Sequence, residues 1–193
     1  MFKEIAWTAG VGWSLFYIYA WAHNDFKSTF TIERSVEIQD SAERVFSHIL
    51  NSTNYPLGMV RSWKGIEPEK ELLKQLNPLL EHEENKLKVG ETKFQVDLIT
   101  LGLVDVILSH WSVDTHSKQH FKFGWIGTSI HEKNFCGDHQ FEVNAKGPNR
   151  CELVHREDIS GFSTPLARLF HEWTGYIHYY EKYLREVKAQ IEK

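Results

Sequence analysis

Nine apolar side chains, Leu166, Leu169, Phe170, Trp173, Ile177, Tyr180, Leu184, Val187 and Ile191, recur at spacings of three and four up to the end of the chain. That stripe predicts one amphipathic helix. Pro165 opens it at the position where a missing N–H costs nothing, and Gly175 is the one breaker inside it. The expected length is about 27 residues, roughly 40 Å at ~1.5 Å per residue. So long a stripe needs a broad apolar surface to lie on, and the sequence before it reads as strands.

The strands nearest the helix are the clearest. Residues 138–144 (DHQFEVN) and 151–159 (CELVHREDI) flank Lys146-Gly147-Pro148-Asn149, a strong turn signal. Pairing about Gly147 sets Val143 opposite Cys151, Phe141 opposite Leu153 and His139 opposite His155. Every apolar residue of both strands except Val154 then shares one face, turned toward the helix. In this register Cys136 and Cys151 lie roughly 20 Å or more apart at ~3.3 Å per residue, beyond disulfide reach. Two free thiols imply a reducing compartment, the cytoplasm first among them.

Further strands are expected at 30–39, where Phe30, Ile32, Val36 and Ile38 share a parity, and at 92–98, 104–114 and 119–126. Between the first two, Asp40 is positioned to cap a helix with Glu43 as its capping-box partner; Ala42, Val45, Phe46, Ile49 and Leu50 form its apolar face. Residues 55–64 read as irregular, with Tyr55, Met59 and Trp63 against the sheet. Pro78 precludes one helix across 72–87, which reads as loop with a strand near 79–83 and a turn at Glu84-Asn85. The sum is α+β: a curved antiparallel sheet of about six or seven strands wrapped on a long C-terminal helix. With 193 residues, one domain is expected, over 30–193.

The remaining 1–29 is an apolar segment and linker. Residues 5–22 (IAWTAGVGWSLFYIYAWA) carry no charge, and a helix of that length spans roughly 27 Å, near the ~30 Å of a bilayer core. Trp7 at one end and Tyr17, Tyr19 and Trp21 at the other suit membrane interfaces. The leading expectation is a single-pass membrane anchor through residues 5–22. The alternatives are a cleaved signal peptide and an apolar helix packed on the domain or on a partner, the last compatible with a soluble cytoplasmic protein.

Three short patterns, IQDSAERVF at 38–46, FCGDHQF at 135–141 and LVHREDISGF at 153–162, together with the order of elements, resemble the START/Bet v 1-like (SRPBCC) superfamily, in particular its small polyketide cyclase/dehydrase and lipid-transport members. The resemblance covers residues 30–193. It implies a helix-grip fold with a cavity between sheet and terminal helix. Family members bind lipids, sterols, quinones, hormones or polyketides, and only some are enzymes.

Chemistry in such a cavity falls to few residues. The inward face of the last hairpin carries His139, Phe141, Val143, Leu153, His155 and Glu157, so three ionisable groups stand among apolar ones. Buried, they must pair or neutralise. His139, His155 and Glu157 are therefore the candidate polar contacts or acid–base groups; the competing reading is a structural network. The candidate ligand contacts are Trp111, Phe123, Trp125, His139, Phe141, His155, Trp173, Tyr176 and Tyr180, of which the aromatic residues are equally good core. No metal site and no cofactor is expected, because neither HExxH, CxxC nor a nucleotide fingerprint occurs. The net charge of -4 leaves no basic footprint for nucleic acid. The expected function is binding or carrying a hydrophobic small molecule at a membrane. The alternative is a cyclase, aromatase or dehydratase using the same His and Glu residues; a protein-interaction module is weaker.

Overall fold

The computed structural model describes residues 2–51, 60–76, 87–98, 102–127, 136–175 and 177–193. The order is α1 (Phe2–His23), β1 (Thr29–Ile38), α2 (Ala42–Leu50), β2 (Val60–Lys64), α3 (Pro68–Leu76), β3 (Lys93–Leu98), β4 (Gly102–Val113), β5 (His120–Gly127), β6 (Cys136–Gly147), β7 (Arg150–Ser160), α4 (Thr164–Trp173) and α5 (Ile177–Ile191). All seven strands form one antiparallel sheet in the order β1-β7-β6-β5-β4-β3-β2. Helices α2 and α5 pack on its inner face, so the architecture is the expected α+β helix-grip.

Alternation places the core. Phe121 and Phe123 of β5, Phe141 and Val143 of β6 and Leu153 of β7 all turn inward and are buried against Phe46 of α2 and Tyr183, Leu184 and Val187 of α5. Each such side chain contributes on the order of 1.5–3 kcal/mol through burial. On β4 the alternation changes phase. A bulge between Leu108 and His110 leaves Leu108 and Trp111 both facing the core. Ser109 and His110 instead reach Asp138 of β6, at 2.6 and 3.1 Å. Gly124 lies beneath this bulge, where a Cβ would come within 2.5 Å of the His139 carbonyl oxygen and 3.0 Å of the His110 ring.

Several sequence expectations need correction. The last hairpin pairs Val143 with Leu153, Phe141 with His155 and His139 with Glu157. The chain turns at Pro148-Asn149, and a bulge between Ala145 and Gly147 takes up an extra residue. The register therefore moves by two, which preserves parity and keeps the expected inward face. Both cysteines are free, with Cys136 opposite Ser160 at one end of the hairpin and Cys151 opposite Ala145 near the turn. Ser41, not Asp40, caps α2, accepting from the Arg44 amide at 3.4 Å, while Asp40 pairs with the Arg44 side chain. The 55–64 stretch contains β2, whose Trp63 donates to the Leu50 carbonyl at 3.1 Å. Helix α3, starting on Pro68, runs to Leu76 and so overlaps the start of the 72–87 stretch expected as loop. The strand expected near 79–83 and the turn at Glu84-Asn85 lie outside the described residues.

The terminal helix is two helices. Gly175 adopts φ +68, a left-handed conformation that ends α4, and α5 starts afresh at Ile177. The two halves have different neighbours: α5 runs along β1, whereas α4 packs chiefly on α1.

The membrane-span expectation fails. No described helix is long and apolar enough to cross a membrane. Five Trp and Tyr and only four Ile, Val and Leu occur within residues 5–22, so the segment is aromatic rather than aliphatic. Helix α1 instead lies against α4, as the third alternative had it. The Tyr17 hydroxyl donates to the Phe162 carbonyl at 2.8 Å, and Tyr17 and Trp21 pack on the Phe162 ring. Arg168 donates to Asn24 at 2.9 Å, and His23 meets Glu172 at 2.6 Å. The other side of α1 leaves Leu15, Ile18 and Tyr19 exposed.

Candidate functional site

Period-two alternation brings His139 of β6 and Glu157 of β7 side by side on the inner face. His139 Nε2 lies 3.1 Å from Glu157 Oε1, and the Tyr180 hydroxyl of α5 donates to Glu157 Oε2. Trp125 of β5 stacks on the His139 ring with centroids 5.2 Å apart, a cation–π arrangement when the imidazole is charged. Gly137, two residues before His139 on the same face, makes room for the carboxylate; a Cβ there would fall 2.6 Å from Glu157 Oε1.

His155 is the neighbour of this pair and its opposite in chemistry. It is 1% exposed, stacked on Phe141 at 4.4 Å, with Tyr180 at 4.7 Å and Tyr183 at 5.4 Å. Neither of its ring nitrogens has a hydrogen-bond partner among the described residues. Burial, joined by the nearby His139 charge, holds His155 well below the usual histidine range, so the ring is neutral. Burial pulls His139 the same way, but the Glu157 carboxylate, as a charge and as a hydrogen-bond acceptor, outweighs it and raises His139. Two histidines 6.2 Å apart are thus driven to opposite protonation states. His171 of α4, half-buried against Phe30, is lowered by burial, with Glu157 opposing and His139 adding to the shift.

Of the residues singled out in the sequence, His139, Phe141, His155, Glu157 and Tyr180 come together here. Trp125, Phe123 and Trp111 continue the same inner face across β5 and β4. Trp173 does not join them: it is 91% exposed on α4, because the break at Gly175 lets α4 take its phase from α1. Tyr176 lies outside the described residues. Gly137 and Tyr183 were missed. A glycine within a strand pattern signals close approach, so Gly137 was findable; Tyr183 lies three residues after Tyr180 on the same helix face. Among the described residues no group of three His, Cys, Asp or Glu could hold a metal ion. An open groove of about 650 Å³ at the β2–β4 end, lined by Lys64, Lys93, Gln95 and Asp105 among others, includes none of the cluster residues.

No family model and no curated protein matches the chain. Solved structures do. A hypothetical protein from Helicobacter pylori superposes with a TM-score of 0.59 at 12% identity, covering 86% of this chain and 89% of that one. The human StarD13 lipid transfer and protein localization domain superposes with a TM-score of 0.54 at 14% identity, covering 87% and 80%. The chain has the START/Bet v 1-like fold. A START superfamily protein from Mycobacterium smegmatis overlays less closely, with a TM-score of 0.49 at 12% identity, covering 84% of this chain and 97% of that one.

Proposed function

We propose that this START-like chain binds or carries an apolar small molecule, of a lipid, quinone or polyketide-like kind, between its sheet and α5. One observation carries the reading: the inner face is built of large aromatic side chains and yet holds three ionisable groups, His139, His155 and Glu157, in its midst. A core serving stability alone gains little from such groups, since replacing a buried ion pair by apolar residues is often neutral or stabilising. The test is native mass spectrometry of the full chain purified without detergent. A co-purifying apolar molecule, lost on mild denaturation, is the expected result; a bare chain that also refuses added lipid would overturn the reading.

The binding is proposed to occur at a membrane surface, with α1 lying on the bilayer rather than crossing it. The support is the exposed Leu15, Ile18 and Tyr19 on an uncharged stretch and the exposed Phe170 and Trp173 on its neighbour α4. Two free thiols fit a cytoplasmic setting. Flotation with phosphatidylcholine vesicles tests this; a Leu15→Glu, Ile18→Glu double variant should stay with the protein fraction.

A second reading is favoured by the opposed histidines. Groups pushed apart in protonation state are the pattern of acid–base catalysis, here His139 as acid and His155 as base in a cyclase or dehydratase. Turnover of a β-polyketone mimic, abolished by His139→Asn with binding intact, would select it.

A further inference from the structure

The cross-strand registers place four inward residues in one row: His155 opposite Phe141, Phe141 opposite Phe123, and Phe123 opposite Trp111. The row crosses β7, β6, β5 and β4. Its two middle members are fully apolar rings, both buried. Its two ends carry buried hydrogen-bonding atoms with no partner among the described residues: both ring nitrogens of His155 and the indole nitrogen of Trp111. Buried polar atoms are satisfied in native proteins with few exceptions, so two orphans at the ends of one row need an explanation. The neighbouring polar groups His139, Glu157 and Tyr180 supply none, because they satisfy one another.

The geometry points to this row as a two-ended recognition site, taking an uncharged, largely apolar molecule with a hydrogen-bonding oxygen at each end. The claim rests on the ligand-binding reading above and narrows its ligand class. Three strand steps of ~4.8 Å set the two ends ~14 Å apart. Phe123 and Phe141 between them offer apolar contact and nothing else. The neutral imidazole gives one donor and one acceptor, which suits a hydroxyl or a carbonyl. The indole gives only a donor, so the oxygen at that end must accept. A carboxylate is disfavoured at the His155 end, where the ring that would receive it is neutral and the nearby His139 is already paired with Glu157.

Isothermal titration of the full chain with decane-1,10-diol, 1-decanol and decanedioate reads this directly, since the extended diol separates its oxygens by a similar distance. The diol should bind about tenfold more tightly than the mono-alcohol, and the diacid least. His155→Phe and Trp111→Phe keep the rings and remove the nitrogens, and each should erase the diol's advantage. Because His155 has no hydrogen-bond partner to lose among the described residues, His155→Phe should also leave the melting temperature of the ligand-free chain unchanged or higher. Equal binding of diol and mono-alcohol by the wild type would overturn the two-ended site while leaving the carrier reading standing. So would a diol advantage that survives both variants, or a His155→Phe chain destabilised without ligand, which would mark a buried water as the partner. Binding of none of the three would overturn both.

Discussion

Gly137 lies directly beneath the Glu157 carboxylate: a side-chain carbon there would come within 2.6 Å of the oxygen that pairs with His139. The carboxylate cannot step aside freely, because Tyr180 holds its other oxygen. Gly137→Ala should therefore displace Glu157 from one or both partners and destabilise the fold by about 1–3 kcal/mol, measured by urea denaturation. In a Glu157→Ala background the same substitution should cost much less, and a double-mutant cycle reads the difference.

Glu157→Gln removes the charge that raises His139 and leaves burial to act alone. The His139 titration midpoint, followed by NMR, should fall below its wild-type value. A midpoint that stays put would show that Glu157 is not the cause.

His155 supplies a pH test of known sign. Its folded value is depressed, so below the unfolded value of about 6.5 the unfolded chain takes a proton that the folded chain refuses. Stability should drop as pH falls from about 7 toward 5. His139 acts in the opposite sense: its raised value gives stability that is present below about 6.5 and fades as pH rises through the folded value. His155→Phe should reduce the acid-side loss, leaving the share that the lowered His171 and His48 contribute, and leave the alkaline-side loss in place.

Gly124→Ala is expected to be the most damaging single change. The added carbon would meet the His139 carbonyl oxygen at 2.5 Å, a backbone atom in the centre of the sheet. A loss of about 3 kcal/mol or more, or failure to fold, is expected from circular dichroism of the purified variant.

The seam between α1 and α4 should yield more gently. Glu172 accepts from both His23 and Arg168, and these groups hold its carboxyl below the usual range despite burial. All three are partly exposed, so Glu172→Gln should cost only about 0.5–1 kcal/mol. Its clearer sign would be faster proteolysis within residues 12–29.

Alternation and turn chemistry made the inward face of the last hairpin legible, and with it His139, His155 and Glu157. What alternation cannot report is an extra residue. The bulge after Ala145 moved the pairing by two, invisibly to parity, and the bulge at Ser109 reversed parity outright, so Trp111 faces the core through a defect in the pattern. The terminal stripe was read through Gly175 because apolar spacing survives a break when both segments find something to cover. Residues 5–22 misled for a related reason. Absence of charge admits a bilayer, but it equally admits a neighbouring helix, and only the partner Phe162 decides.

The break at Gly175 also divides the C-terminal region in time. Helix α5 is fastened along β1, whereas α4 rests mainly on another helix. Amide protons of α4 can then exchange with solvent through an opening that leaves α5 and the sheet intact, at a lower free energy than global unfolding. A boundary in hydrogen-exchange protection is expected at this one glycine, with the interior beneath it reached more often than the stability of the whole chain would allow.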